Sequence, residues 1–188
     1  KNFHIEKIHC FEASNINFQI LRNNIKKKNF NNFCQLNNYA AGEEEKNLFI
    51  NQTKESSSSS INEFNKNSNY LKKKMKILNF KKVEDFYKKE KIQMIRLNDY
   101  IRQKKISKID ILKIDTEGYE LKVLKGLSGC HKIIKYIYFE HHYDDMIKKN
   151  YTFININTIL LKFGFKKVYK SKMAFRKSFE YIYKNIND

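Results

Sequence analysis

Cysteine is scarce and scattered: Cys10, Cys34 and Cys130 are odd in number and form no CxxC pair. That spacing signals neither a disulfide framework nor a zinc site, and it fits a reducing, cytoplasmic setting. No apolar run approaches the roughly 18 residues that a membrane span needs. No signal-peptide pattern begins the visible chain, although Lys1 is not a start methionine and the chain is expected to be a piece of a longer protein. With only five glycines, the sequence has no glycine-rich phosphate-binding turn. Arginine is rare too. Of the 38 basic side chains four are arginine (Arg22, Arg96, Arg102 and Arg176) and the other 34 are lysine. Arginine carries most bidentate recognition of bases and phosphates, so a net charge of +18 is a weaker pointer to nucleic acid than its size implies. Together with the absence of proline, the wealth of lysine, asparagine and isoleucine is what an A/T-rich coding sequence produces without selection for binding.

What is present is a regular alternation. The 188 residues suit one domain with its own core. "KIHCF" (Lys7 to Phe11) reads as a buried strand ending at Glu12, and Ser14 is placed to cap a helix whose face is Phe18, Leu21 and Ile25. A second strand is expected over Phe33 to Leu36. The region from Glu43 to Met94 reads as an insertion over one rim, with a solvated serine-rich loop and then an edge strand and short helix in "MKILNFKKVEDFY". "RLNDYIRQKK" gives a small helix. Ile109 to Ile114 reads as a strand, Glu117 to Leu127 as a helix stopped by Gly126 and Gly129, and Ile133 to Phe139 as the next strand, ending at Glu140, His141 and His142. A helix through Ile156, Ile159, Leu160 and Phe163 closes at Gly164, and the remainder reads as an antiparallel edge pair. Strands alternating with helices at about 25-residue intervals point to an α/β fold with a mostly parallel sheet.

Three strands finish on an acid: Glu12, Asp115 and Glu140. In a parallel sheet those ends share one edge, where ligands bind. Clustered carboxylates repel one another, so a site that keeps them holds a cation, a pair of sugar hydroxyls or a shared proton. Glu12 is suited to accept hydrogen bonds from ribose hydroxyls. Asp115, Glu117, His141 and His142 are candidates for taking a proton from a hydroxyl acceptor. At a helix start Glu117 would also complement the dipole. Asp115, Glu117, Glu140, His141 and His142 offer oxygen and nitrogen donors, but no fixed ligand spacing supports a metal, and none is assigned.

The segments "HCFEASNINFQILRNNI", "LNNYAAG", "RLNDYI" and above all "KIDILKIDTEGYELKVLKGL" resemble, in order and spacing, the FkbM-type methyltransferases. The resemblance runs from about Ile8 to Lys184. It implies a Rossmann-like class I methyltransferase fold that uses S-adenosylmethionine, with Glu12 on the cofactor ribose, Asn38 to Ala40 near the adenine and Asp115 near the methyl group. Catalytic roles then fall to Asp115, Glu117 and His141, and the acceptor is a hydroxyl of a small or carbohydrate-like molecule. The family's first strand and its glycine loop would precede Lys1, so the chain as given is expected to bind cofactor weakly or not at all. The alternative is a basic module for RNA or another polyanion on the same scaffold.

Overall fold

The computed structural model describes residues 4–55, 58–174 and 177–187. Ser56, Ser57, Phe175 and Arg176, which fall in stretches read above as loop and connection, lie outside the described residues. The chain opens with a parallel β–α–β unit. Strand β1 (Ile8–Phe11) is followed by helix α1 (Asn15–Lys27) and strand β2 (Cys34–Asn37), paired from Ile8↔Cys34 to Phe11↔Asn37. Ser14 starts the helix as expected, its hydroxyl accepting the Asn17 N–H at 3.3 Å. Lys26 and Lys27 complement the helix dipole in the last turn. Phe18, Leu21 and Ile25 are half-buried on the inner face, while Ile16 and Ile20 face solvent.

The second sheet corrects the reading of residues 43–94. Strand β3 (Ala40–Gly42) pairs parallel to β5 (Tyr87–Arg96), and β4 (Lys46–Thr53) pairs antiparallel to β5 from Lys46↔Met94 to Thr53↔Tyr87. The supposed insertion therefore supplies the central strand of this sheet, with Ile50, Ile92 and Met94 in the main core. No edge strand forms in "MKILNFKKVEDFY". Its start completes helix α2 (Asn69–Ile77), capped by Ser68, and its end forms the short helix α3 (Val83–Phe86). Phe64, Leu71, Met75, Phe86, Met146 and Ile147 build a second, smaller core there.

Helix α4 (Leu97–Gln103) turns its Leu97, Tyr100 and Ile101 inward. The last sheet takes β6 (Ile109–Ile114), β7 (Ile134–His142), β8 (Phe165–Lys172) and β9 (Ser178–Asn185) in the order β6-β7-β9-β8. The C-terminal pair is antiparallel, as expected, with β8 at the edge and β9 inside. Because β9 pairs with β7 as far as His142↔Ser178, β7 does not stop at Phe139 but carries Glu140, His141 and His142 within the strand. Parallel and antiparallel strand pairs are equally frequent, so the fold is mixed α/β rather than mostly parallel.

Helix α5 (Glu120–Lys125) and helix α6 (Phe153–Lys162) cover this sheet through Val123, Leu124, Ile156 and Leu160. Full burial of each such side chain is worth about 1.5–3 kcal/mol. Gly126 does more than end α5: a Cβ there would lie 1.9 Å from the Gly42 carbonyl oxygen, so the helix end and β3 touch backbone to backbone. Among the described residues no helix is long and apolar enough to cross a membrane.

Candidate active site

Ile114 and Phe139 form the last parallel pair of β6 and β7, so Asp115 leaves β6 at the level where β7 carries Glu140. Asp115 is exposed, with the Lys113 ammonium 3.5 Å away. The chain then reverses through two consecutive left-handed residues, Glu117 at φ 48° and Gly118 at φ 94°. For a residue with a Cβ that conformation costs about 1–2 kcal/mol, so the surroundings must hold it. They do. Ser60 Oγ donates to the Glu117 carbonyl at 2.7 Å and Asn62 Nδ2 to the Gly118 carbonyl at 2.6 Å. From the other side the Glu120 carboxylate accepts the Gly118 N–H at 3.0 Å, the Thr116 hydroxyl at 3.2 Å and the Tyr151 hydroxyl.

This geometry corrects two expectations. Glu117 is not in a helical first turn; α5 begins at Glu120, and Glu120 is the acid there. The serine-rich loop is not simply solvated, since Ser58 and Ser60 are buried. Glu120, 1 % exposed, is a positioning residue that sequence reasoning missed. An acid opening a helix directly after a glycine turn was the available signal.

Glu117 turns its carboxylate inward to an electrostatic cluster. His142 Nε2 lies 3.5 Å from Glu117 Oε2 and 3.3 Å from Glu140 Oε1, and its Nδ1 lies 3.5 Å from Asp144 Oδ2. Glu117 Oε2, Glu140 Oε1 and His142 Nε2 are buried with no hydrogen-bond partner, so three polar atoms face one another unsatisfied. Burial, helped by the charges of Asp115, Glu140 and Glu120 and opposed by His142, pushes the Glu117 carboxyl up to about 7. For His142 burial works downward, but the hydrogen bond to Asp144 and the Glu117, Glu140 and Asp144 charges outweigh it and hold the imidazole above its ordinary value. Asp144, although buried, is held low by His142 and the Met146 N–H.

His141 is not part of this cluster. Neighbouring residues of a strand point to opposite faces, and its ring packs edge-on against Tyr143 and beside Tyr151 and Phe153. Burial, with Lys149 and His142 adding to it, pushes its imidazole down to about 4. His142 stands where His141 was expected.

Glu12 belongs to a second group. Its Oε1 accepts the Ser14 N–H at 2.9 Å, and Asn38 Nδ2 donates to the carbonyls of Glu12 at 2.9 Å and Ala13 at 3.3 Å. Burial raises the Glu12 carboxyl above its usual range, the Ser14 N–H opposing and the Glu90 charge adding. Glu90, which also accepts the Asn15 N–H at 2.8 Å, was not anticipated. Ala40 is buried in the core, so its side chain packs there rather than facing a ligand. The structure thus brings Glu12 together with Asn38, and Asp115 together with Glu117 and Glu140. Among the described residues no group of three or more His, Cys, Asp or Glu side chains is arranged to hold a metal ion.

Comparison with known proteins gives two findings. The family model described as the methyltransferase FkbM domain matches residues 3–167. The crystal structure of methyltransferase FkbM from Methylobacillus flagellatus KT is similar in fold, with a TM-score of 0.57 at 14% sequence identity over 95% of this chain. This chain covers 36% of that one. No curated protein matches. With the domain model running from residue 3 through β6, β7 and the site between them to residue 167, the chain belongs to the methyltransferase FkbM domain family.

Proposed function

We propose that residues 1–188 form a single FkbM-like domain that transfers a methyl group from S-adenosylmethionine to a hydroxyl of a small or carbohydrate-like acceptor. The observation that carries this reading is the convergence of Asp115, Glu117, Glu140 and His142 at the shared ends of β6 and β7, with three of their atoms buried and unsatisfied. A hydroxyl placed there has both a carboxylate to donate to and an imidazole beside it.

The residues fit the cofactor at its ribose end. Glu12 ends β1, its carboxylate is oriented by the Ser14 N–H, and Asn38 fixes the backbone beneath it, an arrangement suited to a ribose diol. Asn38 and the Ala40 backbone would then border the adenine, and Asp115 the methyl-donor end. S-adenosylmethionine, when bound, supplies a methyl group on a sulfonium, a leaving group that needs no protonation. What remains for this chain is alignment, exclusion of water and removal of the acceptor proton. Glu117, with a carboxyl that titrates near neutrality, is placed to take that proton, and His142 assumes the acceptor-side role first assigned to His141.

The reading extends to a Rossmann-like class I scaffold whose first strand precedes Lys1. Among the described residues β1 pairs only with β2 and β6 only with β7, and Ile111 on β6 is 65% exposed. A further strand between β1 and β6 would pair with both of these free edges. The three free thiols suit a cytoplasmic setting. Calorimetry with S-adenosylmethionine on a chain extended upstream of Lys1 tests the proposal. Binding that weakens about 10- to 100-fold in Glu12→Ala supports it. An extended chain with no affinity for S-adenosylmethionine sinks it.

A further inference from the structure

Two extended segments form a wall behind the Glu117 turn. Phe64 and Ile147 make an antiparallel bridge, flanked by the Lys148 N–H on the Glu63 carbonyl at 2.9 Å and the Asn65 N–H on the Met146 carbonyl at 2.8 Å. Ser60 and Asn62 meet the turn on the inner side; Ile61, Glu63 and Lys148 line a cleft of about 650 Å³ on the outer side. Lys66 borders that cleft and also a second hollow of about 470 Å³, walled by Lys66, Lys72, Lys76 and Lys81 over Met75 and Phe80.

No acid lines this second hollow among the described residues. Lys66 alone of the four has an ion pair there, with Glu84 at 2.5 Å. Lys72 and Lys76 stand four residues apart on α2, so their ammonium groups share a face, a spacing at which like charges weaken a helix. A multivalent anion between them would turn that repulsion into attraction. Lysine presents a flexible point charge with three donors, suited to phosphoryl oxygens at varied angles. The half-buried Phe80 offers apolar surface to the rest of the ligand, with the buried Met75 beneath it. A volume of this size suits a small molecule rather than a nucleic-acid strand.

We propose that the hollow bounded by Lys66, Lys72, Lys76 and Lys81 is a binding site for the phosphate group of a small phosphate ester. It stands on these residues alone and is independent of the methyl-transfer reading. The competing account is diffuse attraction by a chain of net charge +18, in which any exposed lysines count alike.

Calorimetry with inorganic pyrophosphate at about 0.15 M salt separates the two, using K72Q/K76Q/K81Q and, as a charge-matched control, K26Q/K27Q/K28Q at the exposed end of α1. Far-ultraviolet circular dichroism confirms that both variants fold. Saturable one-to-one binding that weakens at least about tenfold in the first variant and stays within about twofold in the control is the expected result. Equal weakening in both variants, or no saturation in the parent, overturns the site. A short single-stranded RNA that binds more tightly than pyrophosphate, with the same dependence on Lys72, Lys76 and Lys81, would assign the hollow to nucleic acid and overturn the small-ligand proposal.

Discussion

Ser60 Oγ reaches across 57 positions of sequence to the carbonyl oxygen of Glu117, at 2.7 Å. That bond satisfies a carbonyl that the left-handed conformation of Glu117 turns away from any helix or strand. Ser60→Ala is expected to leave it unpaired and to destabilise the domain by about 1–3 kcal/mol. Urea denaturation measures the loss. A midpoint unchanged from the parent would mean that the turn holds without the loop.

Glu117 makes stability fall as pH rises. Its carboxyl titrates near 7 in the folded chain against 4.5 when free, so the folded state binds more protons between those values. The folded state is accordingly favoured below about pH 4.5 and loses about 3 kcal/mol as pH passes 7. Glu117→Gln cannot ionise and should lack most of that loss. Chemical denaturation of both proteins near pH 4.5 and near pH 8 tests this, and parallel declines in the two would remove Glu117 as the cause.

The two adjacent histidines should titrate apart. The His142 imidazole, beside Asp144, Glu117 and Glu140, is expected to stay protonated above the ordinary histidine value, while His141 stays neutral until about pH 4. Asp144→Asn should lower the His142 midpoint and leave His141 nearly still. Nitrogen-detected NMR of the imidazoles reads both at once. A common midpoint for the pair would contradict the opposite orientations seen in β7.

Gly126→Ala is expected to be severely destabilising, because the new methyl would meet the Gly42 carbonyl oxygen at 1.9 Å. Backbone must move to relieve that contact, at a cost of about 1–3 kcal/mol or more. Thermal unfolding measures it, and Gly129→Ala makes an instructive comparison. Gly129 has a positive φ but no neighbour nearer than 3.4 Å, so its cost is conformational only.

The legible parts of the sequence were those in which one residue type has one job. Ser14 capping α1, the isoleucine- and leucine-rich β6 and Gly164 after α6 each follow a local rule. Strands β4 and β5 do not: "KNLFINQT" and "YKKEKIQMIR" mix lysine, asparagine and glutamine with few apolar side chains, so their pairing rests on partners about 40 residues away. The orientation of His141 was within reach, since Ile137, Phe139 and His141 alternate on one buried face of β7. The positive φ of Glu117 was not, because nothing in "DTEG" requires the residue before the glycine to turn left-handed as well.

The stretch from Ser60 to Phe64 is tied down at both ends. Ser60 and Asn62 hold the carbonyls of Glu117 and Gly118 while Phe64 bridges to Ile147, so deleting one residue between them would pull at least one of these contacts out of place. The length of this short run is therefore as tightly set as its composition, because both of its ends are anchored.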